Sequence, residues 1–414
     1  MATPLRPSSF LTAASLLSLL AACSSSTGIG DGPGSDAGTS SGDTGSSADG
    51  GGKGDSSAST DATASDGDAG HPDGSGSVDG AADALRPLTL PACLGASAPI
   101  VLSGTSAYTS VQIGATFDAG LTAAEPFLID FGSTSSDIDL SAFNPAPATE
   151  NCNDAKLGQA CTFSNLSFFG SWGSVVLYTA SYSSIQGSVR QAGLLATDFL
   201  SAQPIALDYK GLRVFAGASS GFCTDSELGA AGFAPMTTSG FYSDDLATLN
   251  ALSTVVSGAA AGTSVPNVPT VKIQVGGVAA LAQLDTGFDD SVVNHSVNIN
   301  QAFLAAIQAK SPGAITRDSS LDLSLSTCIV GTSENVEAYH LAAGSTLEFV
   351  SDGGGTARSV SDAVLFVKNT PAAALVCGGI GTWTVPAAQI ATSFYVDAGA
   401  MVFDPVSSRV WIPE

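Results

Sequence analysis

The chain has 414 residues and a formal net charge of −24, with 13 Lys and Arg against 37 Asp and Glu. That balance excludes electrostatic capture of nucleic acid or of an anionic membrane surface. Charged residues are only 12% of the total while Gly and Ser are plentiful. The surface must therefore be polar through hydroxyls and amides, which suits an exported protein and tolerates low pH.

Residues 1–22 have the pattern of a signal peptide. Arg6 precedes an apolar segment from Phe10 to Leu20 that is too short to span a bilayer, and small residues follow. The ending Leu20-Ala21-Ala22-Cys23 resembles the bacterial lipobox, in which the cysteine is lipidated and becomes the first residue of the mature chain. Cys23 is thus the candidate lipidation site. Ser24 in place of an aspartate matches the Gram-negative outer-membrane pattern. The expectation is an exported lipoprotein of the outer membrane or cell surface, bound to the membrane through that anchor only. Residues 23–87 are Gly, Ser, Asp, Ala and Thr with almost nothing to bury, which predicts a disordered acidic tether. Its aspartates show no repeating ligand spacing that would make calcium loops.

From Leu88 onward, short apolar runs rich in β-branched residues alternate with Gly, Pro, Ser and Asn, as in "VKIQVGG", "GLRVFAG" and "SRVWIP". This predicts an all-β domain. Two segments have helical character, Ser243–Val256 with Ser243 as N-cap, and Asn300–Lys310. With Cys23 set aside, six cysteines remain, an even number that implies disulfides in an exported chain. Cys152 and Cys161 close a short loop and are the first candidate pair. The other pairings stay open.

The folded part repeats itself. "FLIDFGSTSS" (Phe127–Ser136) echoes "AQLDTGFDDS" (Ala282–Ser291), and Leu194–Phe215 aligns without a gap with Ile390–Trp411. The second alignment places Asp208 on Asp404, Arg213 on Arg409 and Phe215 on Trp411. Two related lobes are expected, 88–222 and 266–414, joined by a Gly/Ser-rich connection at 223–265. Each carries one aspartate in an Asp-x-Gly turn, Asp130 and Asp285, with Gly132 and Gly287 letting the backbone turn where a side chain would clash. Brought face to face, the two carboxyls could not both ionise easily. One would act as a base toward water while the other donates a proton to a carbonyl oxygen. Such hydrolysis needs neither metal nor covalent intermediate, and no cofactor is expected.

These residues resemble the pepsin-like aspartic proteases over most of residues 100–414, and the second motif is similar to the retroviral form of Asp-Thr-Gly. The resemblance implies a bilobal acid-protease fold of two related β-barrel-like lobes, a polypeptide substrate and a monomeric endopeptidase. It implies Asp130 and Asp285 as the catalytic pair, supported by Gly132, Ser133, Thr286 and Gly287. Ser133 would bond the outer oxygen of Asp130, and Thr286 would reach across to the other lobe. Phe169 in "FFGSWGS", with Trp172 or Tyr178 as substitutes, would stand over the site in a flap, and Asp289 and Asp290 would contact the substrate backbone. Cys328 with Cys377 resembles the second-lobe disulfide, Cys152 with Cys161 the short-loop pair, and Cys93 is left with Cys223.

The chain departs from the family at Phe131, where the first motif usually has Thr or Ser, and at Phe288, where the second has lost a hydroxyl. The hydrophobic-hydrophobic-Gly elements read Leu194-Leu195-Ala196 and Ile390-Ala391-Thr392. These departures define the alternative, an inactive pepsin-fold lipoprotein that binds peptides or proteins in its cleft. Other chemistries have less support. Gly217–Gly221 matches the serine-hydrolase elbow Gly-x-Ser-x-Gly, but so does Gly38–Gly42 inside the tether. His71, His295 and His340 show no metal-ligand spacing.

Overall fold

Two sheets carry almost all of the regular structure, and each follows the same path around one aspartate. The computed structural model describes residues 88–117, 120–152, 157–183, 187–217, 221–240, 254–255, 264–265, 268–289, 293–327, 329, 331–377, 379–405 and 407–414. The signal peptide, Cys23, the tether, Asp290 and Cys328 lie outside them, so the lipidation site and the Cys328–Cys377 pairing do too.

In the first half, the antiparallel hairpin of Ser106–Ile113 and Glu125–Ile129 leads to Asp130. Glu125–Ile129 pairs in parallel with Gly193–Leu195, which runs antiparallel to Asp137–Ile138. That strand in turn pairs in parallel with Val175–Thr179, itself antiparallel to Ala160–Phe163. In the second half, Pro269–Val275 and Val278–Leu284 form the hairpin that leads to Asp285. The sequence of neighbours then repeats: Ala387–Ile390 parallel, His295–Asn300 antiparallel, Ala363–Lys368 parallel and Ser333–Leu341 antiparallel. Phe127–Ile129, Gly193–Leu195 and Ala363–Val367, each with a parallel neighbour, are buried on both faces, which explains their unbroken apolar runs.

The longer echo has the same structural register in both halves. A short helix, Thr197–Leu200 or Ser393–Ala398, precedes a strand ending at Asp208 or Asp404, and the next strand begins at Arg213 or Arg409. These hairpins meet directly, because Ile205–Asp208 pairs antiparallel with Ala400–Phe403. The two halves thus share a sheet, and residues Leu88–Glu414 form one compact unit rather than two separable ones.

The connection at 223–265 is more structured than its Gly/Ser content predicts. Thr224 caps a helix, Asp225–Ala230, through a reciprocal capping box with Glu227. Phe233–Thr237 then adds a strand to the shared sheet, beside Arg409–Pro413. The helix expected at Asn300–Lys310 is present as Gln301–Lys310, capped by the Asn300 side chain on the Phe303 amide. The helix expected at Ser243–Val256 is not formed at its end, where Thr254–Val255 pairs as a strand with Ser264–Val265. Residues 243–253 and 256 lie outside the described ones.

Among the described residues two disulfides close the fold, Cys93–Cys223 and Cys152–Cys161. They fit an oxidising environment such as the periplasm or the cell exterior. Among the described residues no helix is long and apolar enough to cross a membrane.

Candidate active site

Each aspartate leaves the end of a buried strand, and its backbone is tied to the neighbouring parallel strand. The Asp130 amide donates to the Leu195 carbonyl oxygen (2.9 Å) and the Asp285 amide to the Ile390 carbonyl oxygen (3.3 Å). The loops that follow are held from behind by threonine hydroxyls. Thr197 donates to the Ser133 carbonyl oxygen (3.1 Å) and Thr392 to the Phe288 carbonyl oxygen (3.0 Å). Thr392, where the resemblance led one to expect a glycine, contributes a bond to the loop it supports.

The two motifs, 155 residues apart, meet. The carboxyl groups of Asp130 and Asp285 hydrogen-bond to each other. Both are almost fully buried. Each also accepts from its own motif, Asp130 from the Gly132 amide (2.7 Å) and Asp285 from the Gly287 amide (2.9 Å). The glycines are required for a reason beyond chain reversal. Neither has left-handed backbone, but a Cβ on Gly287 would lie 2.6 Å from the Asp130 carboxyl carbon, and one on Gly132 would collide with the Asp285 carboxylate. Each glycine makes room for the carboxylate of the opposite motif.

Burial pushes both carboxyls above the ordinary carboxylate range, and Asp130, beside the Asp285 charge, is pushed well above it. Such a pair holds one proton between two sites.

Thr286 makes the crossing expected of it. Its hydroxyl donates to the Ile129 carbonyl oxygen (2.8 Å) and accepts from the Phe131 amide (3.0 Å). Phe131 returns no such bond. Its ring is fully buried, edge-on to Phe403 of the second half with centroids 4.9 Å apart. The aromatic contact takes the place of the second threonine bond, and the ring does not separate the two carboxyls. Thr286→Val should remove both crossing bonds and leave two buried backbone groups unpaired. The expected loss is about 2–4 kcal/mol, read as a lower urea midpoint with an unchanged slope.

No protein-family model matches the chain, and no curated protein matches it significantly.

Four of the expected site residues have other partners. The Ser133 hydroxyl donates to the Ser135 carbonyl oxygen (3.4 Å), not to Asp130, because the loop turns it toward its own backbone. Asp289 accepts from both the amide (2.8 Å) and the hydroxyl (2.5 Å) of Thr105, and so ties the second motif to a hairpin tip of the first half. Its role is that of a clamp rather than of a free substrate contact. Trp172 packs against Phe199, with centroids 4.8 Å apart, and donates through Nε1 to the Phe168 carbonyl oxygen (2.8 Å). Phe169, in left-handed backbone, packs edge-on against Phe168. The Trp172 ring is thus spent on the helix Thr197–Leu200 and the Phe169 ring on its own neighbour.

The structure also gathers polar residues that sequence reasoning missed. Gln389 donates to Asp285 Oδ2 (2.5 Å) and accepts from Asn298 (2.8 Å). In the sequence it is a lone polar residue in the apolar run Ala387–Ala391, and that interruption was the available signal. Behind Asp130, the Tyr182 hydroxyl bonds Asp137, and Asp198 accepts from the amide (3.0 Å) and hydroxyl (2.5 Å) of Ser136. Burial raises Asp137 to about 7 and Asp198 to about 6.

These buried acids set a sign for stability. A carboxyl that binds its proton more tightly when folded stabilises the fold below its unfolded value and loses that contribution as pH rises through the folded value. Asp130, Asp137 and Asp198 all act in this direction. Asp318, Asp322 and Asp362 are lowered and act oppositely, losing their share only as pH falls below about 4, but they are at the surface and contribute little. The melting temperature should therefore be higher at about pH 5 than at about pH 8. Equal or reversed values would contradict burial of these acids.

Proposed function

We propose that the chain is an aspartic endopeptidase of the bilobal pepsin-like type, exported and held at the bacterial surface by a lipidated Cys23. One observation carries the reading: two buried carboxyls from repeated motifs, hydrogen-bonded to each other, with each motif's glycine against the other's carboxylate. The topological repeat around the two aspartates supports the bilobal assignment.

In this reading a water lies between the aspartates and a peptide carbonyl. The ionised carboxyl takes a proton from the water as its oxygen bonds the carbonyl carbon, and the protonated carboxyl gives its proton to the carbonyl oxygen. The tetrahedral product then collapses. The first carboxyl passes its proton to the leaving nitrogen, the C–N bond breaks, and the second recovers a proton from the hydroxyl. One proton on the pair is required throughout.

The mature lipoprotein, solubilised in detergent, should cleave an unfolded protein at acidic pH, with pepstatin blocking the reaction. Peptide binding without cleavage from about pH 2 to about pH 7 would sink the enzymatic reading and favour the cleft as a binding site.

A further inference from the structure

The two aspartates are related by a repeat but are not equivalent, and the difference lies one strand away. Gln389 precedes the Ile390-Ala391-Thr392 element. At the offset of 196 that aligns the repeats, its counterpart is Gly193, which has no side chain to offer. Nor could position 193 hold one in its present backbone, since a Cβ there would lie 2.6 Å from the Asp137 carbonyl oxygen and collide with Phe127. At this position the first half therefore has no side-chain amide to place against Asp130, whereas the second half places one on Asp285.

The strand register holds that amide. Gln389 sits opposite Asn298 on its antiparallel neighbour. Asn298 Nδ2 donates to Gln389 Oε1 (2.8 Å), which turns the Gln389 N–H toward Asp285 Oδ2 (2.5 Å). Asp285 Oδ1 is already bonded by the Gly287 amide (2.9 Å). The motif's own hydroxyl position is Phe288, so a donor from the neighbouring strand fills the place of the one the loop has lost. Both Asp285 oxygens thus face N–H groups that cannot accept a proton from it. Hydrogen bonds to a carboxylate favour its charged form.

We propose that Gln389 is a positioning residue that makes the pair unequal, holding Asp285 as the ionised base and leaving the shared proton on Asp130. The catalytic meaning of this assignment rests on the endopeptidase reading. The assignment itself does not, and can be measured without activity. The other titratable groups that face the pair are Asp137 and Tyr182 behind Asp130, and Tyr395 beside Asp285. Tyr182 and Tyr395 are raised above their ordinary value and stay neutral in the acid range, so Asp137 is the one neighbour whose titration must be followed alongside.

The test is a carboxyl-carbon NMR titration of the full chain labelled in aspartate. In the wild type, between the two midpoints of the pair, the Asp285 carbon should have the shift of a carboxylate and the Asp130 carbon that of an acid. Equal partition, or the reverse, overturns the proposal whatever the variants do. Gln389→Met keeps the length and removes the donor, and should raise the proton affinity of Asp285 about 10- to 100-fold. An unchanged Asp285 midpoint in a folded variant also overturns it. Should that variant fail to fold, Gln389→Glu serves. Its protonated side chain can still donate, so the wild-type partition should persist at low pH and be lost as the new acid ionises, while a partition that stays unchanged after that ionisation overturns the proposal. Cleavage assays read separately: an unequal pair in a protein that cleaves nothing would sink the endopeptidase reading and leave this one standing. With activity present, the acidic limb of kcat/KM in Gln389→Met should move up by the same factor, a shift that a merely structural role would not produce.

Discussion

Asp285→Asn should abolish peptide cleavage while leaving the fold intact. The amide is nearly the size of the carboxyl it replaces and can keep two of its bonds, losing only the one from Gln389, because its NH₂ cannot accept. Its oxygen can accept from the Gly287 amide, and its NH₂ can donate to Asp130 in place of accepting. What it cannot do is take a proton from water. Losing a positioned acid or base costs about two to four orders of magnitude in rate, and here one group serves as base and later as acid. Removing the negative charge also removes a cause of the high proton affinity of Asp130. The variant should therefore melt at or above the wild-type temperature near neutral pH, because one buried charge has gone. Loss of cleavage together with a lower melting temperature would point instead to a structural Asp285. Full activity in Asp285→Asn would remove the dyad altogether.

Reduction of the disulfides should separate them by the length of chain each constrains. Cys93–Cys223 spans 130 residues and Cys152–Cys161 spans 9. Loop-closure entropy assigns about 5 kcal/mol to the first and about 3 kcal/mol to the second. The longer bridge has a further role. It fastens the first residues of the fold, through Cys93 and the buried Leu94, to a core shared with Phe215, Phe233 and Trp411. The Cys93→Ser/Cys223→Ser variant should therefore lose more in denaturant midpoint than Cys152→Ser/Cys161→Ser. Equal losses would show that strain or residual unfolded-state structure outweighs loop closure.

The parts of this protein legible in its sequence are those where local pattern and chemistry coincide. Asp130 and Asp285 stood out because a carboxylate at the end of an apolar strand is costly without a purpose. The repeat at an offset of 196 survived as the same strand ends in both halves, Asp208 with Asp404 and Arg213 with Arg409. The helix at Asn300–Lys310 was readable because its pattern is local, and its cap proved to be local too, Asn300 on the Phe303 amide. The helix expected at Ser243–Val256 failed at Thr254–Val255, where pairing with Ser264–Val265 outweighs local preference. Asp289 reads by resemblance as a contact to the substrate backbone, and its bond to Thr105 was not legible because that partner is 184 positions away.

By itself, then, the sequence determined the all-β class, the repeat and the two aspartates, because strand periodicity, turn glycines and buried charge are properties of short stretches. The tertiary structure decided how those stretches meet. It placed Gly132 and Gly287 against the opposite carboxylates, sent the Phe131 ring to Phe403 and set Gln389 on Asp285 alone. None of these contacts is local. Each depends on the register of strands far apart in the chain, and a shift of one residue would turn every side chain to the other face.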